Sequence, residues 1–390
     1  MLVGLHLNYQ LAHFVLNREI IFLNHGSFGA CPRPVFEEYQ RWQLELERQP
    51  VEFLGRHFDD LMRVARKPLA AYVNCDADDL VYVPNATTGL NIVARSLKLN
   101  AGDEIVTTNH EYGALDRTWE FLCEKSGAVY KRVEIPVPVS TSEDFIERIW
   151  SAVTPRTRVL FLSHITSPTA LIFPIQELVR RARERGIISI IDGAHAVGQI
   201  PLDLCALDAD VYSSNCHKWL CAPKGSAFLY VRRALQNEIE PLVVSWGWHP
   251  EKITGTRFVQ EQEWQGTRDI AAYLATPTAI RFLQEHDWEA VRAECHALAM
   301  YAQTKISTLT GLGPLSDDSW FAQMVTCPLP RCDVDFVKRR LHEDYRIEVP
   351  IIEWSSGVHS KQFVRVSMQA YNSRADVDAL VNALKLIFFS

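Results

Sequence analysis

The stretch VLFLSHITSPTALIFPIQELVRRARERGIISIID, residues 159–192, joins two short apolar runs through a segment with helical periodicity. The runs are residues 159–163 and 187–191, and the segment 174–186 sets apolar residues against a strongly charged face. Two strands joined by a helix of this length predict a crossover connection between parallel strands. The stretch therefore predicts a β–α–β unit, the building block of an α/β fold.

The same alternation of apolar runs and amphipathic segments extends from residue 80 to residue 231. Seven runs have strand character: LVYV (80–83), EIVTT (104–108), VYKRVEI (129–135), VLFLS (159–163), IISII (187–191), DVYSS (210–214) and AFLYV (227–231). Helical patterns between several of them would cover both faces of the sheet. The sequence predicts a large α/β domain with a seven-stranded, mostly parallel sheet.

After Trp264 the pattern changes to two long helical segments, three strands and a last helix. The segments are 269–285 and 287–309, the strands 321–327, 346–351 and 363–368, and the last helix runs from about Arg374 to Phe388. Helical patterns at 34–48 and 56–73 could pack against either domain. We predict a large domain over residues 20–260 and a smaller α+β domain over residues 261–390 together with residues 1–19.

Composition narrows the possible partners. Of the 390 residues, 47% are hydrophobic and 22% charged, and a net charge of −7 without a Lys/Arg stripe argues against a nucleic-acid partner. Polar residues interrupt the first twenty residues, so these predict neither a signal peptide nor a membrane span. Nine scattered cysteines are typical of reduced thiols, which predicts a cytoplasmic protein.

Ligands of open α/β sheets bind beyond the carboxyl ends of the strands, so the residues that follow each run are candidate site residues. After the first run, Ala86, Thr87 and Thr88 open a helix whose free N–H groups and hydroxyls suit a phosphate. A threonine that only caps the helix is the alternative. After the second run, Tyr112 could stack on a planar ligand or close the domain core.

The later runs end on groups that could carry chemistry. Asp192 ends an apolar strand, where a carboxylate needs a cationic or hydrogen-bonding partner, and His195 follows on the same side of the turn. Ser167 follows the fourth predicted strand, and His217 and Lys218 follow the sixth. A lysine at the mouth of a pocket could be merely solvated.

Two chemistries compete for these residues. A metal hydrolase could use several of them as ligands, but common zinc-binding spacings are absent and Lys218 would have no task. The candidate ligands are His110, Glu111, His164, Asp192, His195 and His217. Pyridoxal phosphate needs a lysine for its Schiff base, a carboxylate for the pyridine nitrogen, a phosphate cup and a flat side chain. Lys218, Asp192, the 86–88 turn and Tyr112 supply all four, which favours pyridoxal phosphate and no metal.

Motifs along most of the chain resemble the aminotransferase class V family of fold type I pyridoxal-phosphate enzymes. Within it the likeness is greatest to isopenicillin N epimerase-like proteins, and cysteine desulfurases are more distant. The matching segments are NHGSFGACP (24–32), NATTGLN (85–91), NHEYGALDRTW (109–119), DGAHAVGQIPLDL (192–204), DVYSSNCHKWLCAPKGSAFLYV (210–231), QGTRD (265–269) and VRVSMQAYN (364–372). Together they cover the chain from about residue 20 to its end.

The resemblance implies roles for the cofactor-binding residues. Lys218 would carry the Schiff base, Asp192 would pair with the pyridine nitrogen, and His195 would reach the ring hydroxyl, with Ser167 a second candidate for that oxygen. Tyr112 would stack on the ring. The phosphate would be held by residues of both copies of a homodimer with shared active sites, since Thr267 belongs to a segment that crosses the dimer interface in this family. The phosphate-binding set is Ala86, Thr87, Thr88, His217 and Thr267.

The substrate implied by the resemblance is a small-molecule amino acid. Arg365 matches the arginine that binds the α-carboxylate through two hydrogen bonds. His25 is a substrate-side residue, and either His25 or His110 could act as a second acid. The substrate side chain could contact residues near the domain junction, which could equally be interface or core residues: Trp246, Trp248, Arg257 and Arg268.

Two departures from the family pattern bear on the reaction. Asn215 stands where many relatives have Ser or Thr, so a phosphate contact there is not expected. Desulfurases carry a nucleophilic cysteine on a loop before the substrate arginine, but here that segment is residues 353–363, and no cysteine follows Cys332. We expect epimerisation at the α-carbon of an amino acid. The alternatives are transamination, C–S lyase activity, and a non-catalytic or metal-dependent protein of the same fold.

Overall fold

The computed structural model describes residues 12–356 and 359–389, and its largest sheet has the seven predicted strands. These strands are β2 (Leu80–Val83), β3 (Glu104–Thr108), β4 (Val129–Val133), β5 (Thr157–Ser163), β6 (Ile188–Asp192), β7 (Val211–Ser214) and β8 (Ala227–Val231). Their order across the sheet is β2-β8-β7-β6-β5-β3-β4. Strand β8 is antiparallel to both neighbours and the other pairs are parallel, which confirms the prediction of a mostly parallel sheet.

The strands alternate their side chains between two cores. In β2, Val81 and Val83 pack into one cluster with Trp119, while Leu80 and Tyr82 pack into the other. All four residues of β2 are buried, because helices cover both faces of the sheet. This double burial explains why inner strands such as β2 have nearly continuous apolar sequences, whereas the edge strand β4 (VYKRV) does not.

Helices surround the sheets and form much of the N-terminal and C-terminal parts of the chain. They are α1 (His25–Phe28), α2 (Arg33–Arg48), α3 (Phe58–Tyr72), α4 (Ala86–Ser96), α5 (Gly113–Ser126), α6 (Ser142–Ser151), α7 (Ile175–Glu184), α8 (Leu204–Leu207), α9 (Arg257–Glu263), α10 (Ala271–Leu274), α11 (Thr276–Glu285), α12 (Trp288–Thr310), α13 (Val334–Tyr345) and α14 (Arg374–Phe388). A π-helix spans Val51–Arg56, and 3₁₀ turns span Ala77–Asp79, Arg233–Glu238 and Asp318–Trp320. The predicted last helix, from Arg374 to Phe388, is confirmed.

The C-terminal part contains a three-stranded antiparallel sheet. Its strands are β9 (Met324–Leu329), β11 (Ile351–Ser356) and β12 (His359–Ser367), and their order across the sheet is β11-β12-β9. The prediction of one strand over residues 346–351 is wrong, because the segment divides around Pro350, whose nitrogen cannot donate a ladder hydrogen bond. Its first part, β10 (Ile347–Glu348), pairs instead with β1 (Ile21–Phe22) near the N-terminus.

The segment where desulfurases carry their cysteine is here a β-hairpin. Strands β11 and β12 are paired from Ile351↔Val364 to Ser356↔His359. The hairpin is held to the large sheet by Trp354, whose indole N–H donates to the Asn109 carbonyl. Its partner strand β12 carries Arg365 toward the ends of the large-sheet strands.

The division into residues 20–260 and 261–390 stays a prediction, and residues 1–11, which we assigned to the smaller domain, lie outside the described residues. Helix α9 spans the predicted boundary and packs on β2. Within the ranges 12–356 and 359–389, no helix combines the length and apolar character needed to cross a membrane.

Candidate active site

The parallel strands bring their polar ends to one level of the sheet. The register pairs Ser163 with Asp192 and Asp192 with Ser213, so the ends of β5, β6 and β7 lie side by side. Lys218 follows β7 by four residues, and Ser167 follows β5 by the same number. The carboxyl edge of the sheet is therefore the candidate active site, as ligand binding in open α/β sheets leads one to expect.

Lys218 lies at the centre of this edge. Its Nζ is 3.1 Å from Nε2 of His195. Burial lowers the pKa of the Lys218 amine, the charge of Arg365 lowers it further, and Asp192 acts in the opposite direction. The amine is therefore easier to deprotonate than an exposed lysine, as a nucleophile or base requires.

Trp219 determines which nitrogen of His195 carries the proton. The Trp219 indole N–H donates to Nδ1 of His195 at 3.3 Å, and Trp219 is fully buried. Neutral His195 must then carry its hydrogen on Nε2, the atom that faces Lys218. Burial lowers the pKa of His195 well below its usual range, so the neutral form prevails. His195 thus presents a fixed N–H donor beside the lysine.

Asp192 is 3% exposed and makes few hydrogen bonds. Its Oδ1 accepts the N–H of Ala194 at 2.8 Å. Burial raises the pKa of the Asp192 carboxyl, while the Ala194 N–H and Lys218 lower it. A carboxylate in this position can hold a cationic ring nitrogen, because the pair compensates the burial of both charges.

The first turn of α4 is organised by two asparagines. Oδ1 of Asn85 accepts the N–H of Thr88 at 2.8 Å and the Thr88 hydroxyl at 3.1 Å. Oδ1 of Asn215 accepts the N–H of Ala86 at 2.8 Å. Of the predicted phosphate-binding turn, the Ala86 and Thr88 N–H groups and the Thr88 hydroxyl therefore bond within the protein. Asn215 serves the turn by fixing its backbone.

His217 is oriented by the next strand. Nδ1 of His217 lies 3.0 Å from the Ser226 carbonyl, which can only accept, so Nδ1 carries the hydrogen and Nε2 is the remaining nitrogen. Burial and the nearby lysines lower its pKa to about 4. A bound anion would oppose that shift.

Arg365 is a buried cation without an anionic partner among the described residues. Its Nη1 donates to the Ser167 carbonyl at 2.6 Å and to the Ser167 hydroxyl at 3.2 Å, and its Nη2 donates to the Ser27 hydroxyl at 3.0 Å. Its Nε is buried and unpaired among the described residues. Burial lowers the pKa of Arg365 to about 10. A buried guanidinium held only by neutral groups is suited to a carboxylate ligand.

Gly29 shows why the segment NHGSFGACP contacts the lysine segment. Gly29 has a φ of 70°, and a Cβ placed there would lie 2.0 Å from the carbonyl oxygen of His217. Any other residue would displace the backbone that carries Lys218.

We expect Gly29→Ala to lower the free energy of unfolding by about 2–4 kcal/mol, because it combines backbone strain with a steric clash. Chemical denaturation measures this. Gly113→Ala is the matched control, since its added methyl meets open space at the start of α5. If Gly29→Ala lowered the free energy of unfolding as little as Gly113→Ala does, the close approach of Gly29 to the His217 carbonyl would be contradicted.

His25 lies behind Lys218 and has both ring nitrogens engaged. Nε2 is 3.0 Å from the Lys218 carbonyl and Nδ1 is 2.9 Å from the Tyr371 hydroxyl. His25 is fully buried, and burial lowers its pKa to about 3. We expected His25 to face the substrate, but both of its ring nitrogens already form hydrogen bonds within the protein. Its contact with the Lys218 carbonyl positions the backbone of the lysine.

We expect His25→Ala to lower the free energy of unfolding by about 2–4 kcal/mol, because the Lys218 carbonyl and the Tyr371 hydroxyl both lose a buried partner. Denaturation of the variant measures the loss. Tyr371→Phe removes one of the two bonds and should cost about 1 kcal/mol. A His25→Ala protein of undiminished stability would contradict the positioning role.

His110, the other predicted second acid, is also enclosed. Its Nδ1 is 2.7 Å from the Thr169 hydroxyl and its Nε2 is 2.8 Å from the Ile135 carbonyl. Glu111 beside it accepts hydrogen bonds from Thr108 and Ser163. Burial raises the pKa of Glu111 to about 8. Glu111 thus joins the ends of β3 and β5, and His110 contacts the segments that follow β4 and β5.

Tyr112 and Thr267 are exposed. Tyr112 is the N-cap residue of α5 and is 45% exposed, beside the strand ends. Thr267 lies on the surface after Gly266, whose φ is 105°.

Of the four residues expected to contact the substrate side chain, the two arginines are bonded within the protein and the two tryptophans are exposed. Arg257 pairs with Glu261, and Arg268 donates to the Glu263 carbonyl. Trp246 and Trp248 remain exposed on one segment. Both arginines are therefore engaged within the chain.

Sequence reasoning missed four residues that orient the site. Trp219, Ser27 and Asn85 were not singled out, and Asn215 was considered only as a missing phosphate contact. Asn85 could have been found as an N-cap residue, because Asn is favoured immediately before a helix. Trp219 and Ser27 had no such local signal, because their partners are distant in sequence.

The metal-hydrolase alternative requires a cluster of metal-binding side chains. Within the described parts of the chain, no three His, Cys, Asp or Glu side chains are grouped so that they could hold a metal ion. The nine cysteines are unpaired.

Comparison with known proteins identifies sequence relatives. The family model for aminotransferase class-V matches residues 31–380. The isopenicillin N epimerase of Amycolatopsis lactamdurans is 33% identical over 95% of this chain and 96% of its own. A probable chloroplastic L-cysteine desulfhydrase of Arabidopsis thaliana is 30% identical over 93% of this chain and 82% of its own.

A solved structure shares the fold. The structure of C-DES, with glycine covalently linked to its pyridoxal-phosphate cofactor, matches with a TM-score of 0.83. It covers 94% of this chain and 96% of its own at 20% identity.

Proposed function

The chain belongs to the aminotransferase class-V family, and on this premise we propose that it epimerises the α-carbon of an amino-acid substrate. It is a pyridoxal-phosphate-dependent enzyme, and its relatives include an isopenicillin N epimerase and L-cysteine desulfhydrases. The observation that carries the proposal is that Lys218, Asp192 and Arg365 converge at one edge of the sheet. Among the described residues, Arg365 has no carboxylate partner.

The residues at this edge fit pyridoxal phosphate. Lys218 is an amine of lowered pKa for covalent attachment, and Asp192 is a buried carboxylate that suits the cationic ring nitrogen. The Nε2–H of His195 can donate to the ring oxygen. A metal-binding site would leave the lysine unexplained, whereas this cofactor uses each of these groups.

The bound cofactor withdraws electrons from the substrate α-carbon and thereby makes its hydrogen acidic. Lys218 then takes that proton on its Nζ, for which a lowered pKa is favourable. Asp192 would keep a positive charge on the pyridine nitrogen, and the Nε2–H of His195 would donate to the ring oxygen. Ser167 accepts hydrogen bonds from Arg365 through its carbonyl and hydroxyl oxygens, and its hydroxyl hydrogen stays a second candidate donor to that oxygen.

The phosphate site is proposed to combine Thr87, His217 and the first turn of α4, with Ala86 and Thr88 shaping the turn through their bonds to Asn215 and Asn85. We further propose a homodimer in which Thr267 reaches the phosphate of the second copy. The exposure of Thr267 supports this. The unpaired cysteines agree with a reducing compartment, and we propose the cytoplasm.

Arg365 is proposed to bind the substrate α-carboxylate. The carboxylate would supply the anion that the guanidinium lacks among the described residues. Ser167 and Ser27 hold the planar group in one orientation, which favours bidentate binding.

A C–S lyase is the second candidate, favoured by the similarity to L-cysteine desulfhydrases. The paired hairpin β11–β12 and the absence of cysteine after Cys332 argue against a persulfide-forming cysteine in that segment. Elimination from L-cysteine by Lys218 alone would not need that cysteine. Transamination is the third possible outcome of the same α-proton removal.

Incubation with isopenicillin N and with L-cysteine in deuterium oxide separates these reactions. We expect inversion at the α-carbon with deuterium incorporation and little keto acid or sulfide. Sulfide from L-cysteine without inversion of either compound would establish the lyase instead. Stoichiometric keto acid would establish transamination.

A further inference from the structure

We propose that the hydroxyl group of Tyr112 donates a proton to the substrate α-carbon on the face opposite Lys218, as the second acid of the reaction. The inference rests on the proposed epimerase function, because inversion needs one group to remove a proton from one face and another to deliver one to the other. The predicted stacking role uses only the flat face of Tyr112, and its hydroxyl is a separate functional group.

The strand order places Lys218 and Tyr112 on opposite sides of the site. Lys218 follows β7 and Tyr112 follows β3, and strands β6 and β5 lie between them. Three strand spacings amount to about 14 Å, which leaves room for a flat ligand between the two residues. Asp192 at the end of β6 lies within that gap, one strand spacing from β7 and two from β3. The two groups therefore approach a bound substrate from opposite directions.

The Tyr112 hydroxyl is available for proton transfer. Tyr112 is 45% exposed, and its hydroxyl forms no hydrogen bond with residues in the described ranges. Tyr112 follows the end of β3, and Arg365 is bonded to Ser167 beyond the end of β5, the strand next to β3. The phenol therefore lies at the same part of the sheet edge as the group proposed to hold the substrate carboxylate, which is bonded to the α-carbon.

The neighbouring candidate acids are already engaged. His25 bonds to the Lys218 carbonyl and the Tyr371 hydroxyl, and His110 bonds to Thr169 and Ile135. Glu111 accepts from Thr108 and Ser163 behind the strand ends. His195 lies on the same side as Lys218. Among these groups, Tyr112 is the one whose acidic hydrogen has no acceptor in residues 12–356 and 359–389.

The proton transfer balances with no further reactant. Lys218 takes the α-proton on Nζ, and the C–H electron pair remains on the substrate. That pair forms a new C–H bond with the hydroxyl hydrogen of Tyr112 on the other face, and the O–H electrons stay on the phenolate oxygen. Because Tyr112 is exposed, water can return a proton to it, and the ammonium of Lys218 loses its proton to water.

Glycine tests this role without knowledge of the natural substrate. Its two α-hydrogens lie on opposite faces, so stereochemically resolved exchange in deuterium oxide reports each acid separately. We expect the holoenzyme to exchange both hydrogens. Tyr112→Phe keeps the ring and removes one oxygen, and we expect exchange of one hydrogen to fall by about 10²-fold or more while the other persists.

A second measurement separates proton transfer from stacking. We expect the dissociation constant of pyridoxal phosphate, measured by fluorescence titration of the apo-protein, to be unchanged within about threefold in Tyr112→Phe, since aromatic stacking is retained. Tyr112→Leu, which removes the ring, should weaken binding as well as exchange. Weakened cofactor binding in Tyr112→Phe equal to that in Tyr112→Leu would overturn the acid role.

The outcomes distinguish the two proposals. If the unsubstituted enzyme exchanges one hydrogen of glycine only, both the epimerase function and the acid role of Tyr112 are overturned. If the unsubstituted enzyme and Tyr112→Phe both exchange both hydrogens at similar rates, the role of Tyr112 alone is overturned. Selective loss of one exchange in Tyr112→Phe supports both.

Discussion

Replacing Lys218 by Ala is expected to abolish covalent attachment of pyridoxal phosphate and to slow α-hydrogen exchange by about 10⁴-fold or more, since both nucleophile and base are lost. The amine contacts His195 at 3.1 Å, and its pKa is lowered by burial. Spectroscopic titration with the cofactor and deuterium exchange measure the two effects. Folding should be preserved, because the substitution removes a buried charge that is costly to keep.

Lys224 provides the matched control for Lys218. It belongs to the same segment, its Nζ donates to the Gly29 carbonyl at 3.0 Å, and burial lowers its pKa as well. We expect Lys224→Met to retain the covalent cofactor and most of the exchange rate. Equal losses in Lys218→Ala and Lys224→Met would contradict the assignment of the nucleophile to Lys218.

Replacing Arg365 by Gln is expected to raise the KM for an amino-acid substrate by about 10²- to 10³-fold, because two charge-assisted hydrogen bonds to the carboxylate are lost. Since Arg365 has no anionic partner within the described ranges, its removal should leave the free energy of unfolding unchanged or slightly higher. An arginine that served only the fold would give the opposite pattern, with lower stability and unchanged KM.

Two controls make the test of Arg365 specific. Arg365→Lys keeps the charge without the planar fork, so its KM should be intermediate. Cysteamine lacks the carboxylate of L-cysteine, so its affinity for the holoenzyme should not respond to Arg365→Gln. A loss of cysteamine affinity equal to that of L-cysteine would show that Arg365 acts on the site as a whole.

Much of the fold could be predicted because most strands of the large sheet are buried on both faces; the edge strand β4 is the exception. Runs such as residues 159–163 and 187–191 are apolar except for one serine each, and the helix between them is amphipathic. The segment 346–351 could not be assigned correctly by the same reasoning. Its pairing with β1 joins residues more than three hundred positions apart, and local sequence carries no signal for that contact.

The candidate site was partly predictable for a related reason. The residues at strand ends, such as Asp192 and Lys218, can be located once the strands are known, because parallel strands end at one edge. The orientation of the side chains in the site depends instead on contacts with residues that are distant in the sequence. Trp219 fixes the proton of His195, and Ser27 holds Arg365, and neither contact follows from spacing. His25 was placed beside the substrate because its burial against Tyr371 could not be seen in the sequence.

The most direct test of the central claim, that Lys218 holds pyridoxal phosphate covalently, is borohydride reduction of the holoenzyme followed by peptide mapping. Reduction makes the covalent link permanent, so the modified lysine can be identified by mass spectrometry. The account predicts one cofactor per chain on Lys218 and no label in Lys218→Ala. Label on Lys224, or a protein that takes up no cofactor, would contradict it.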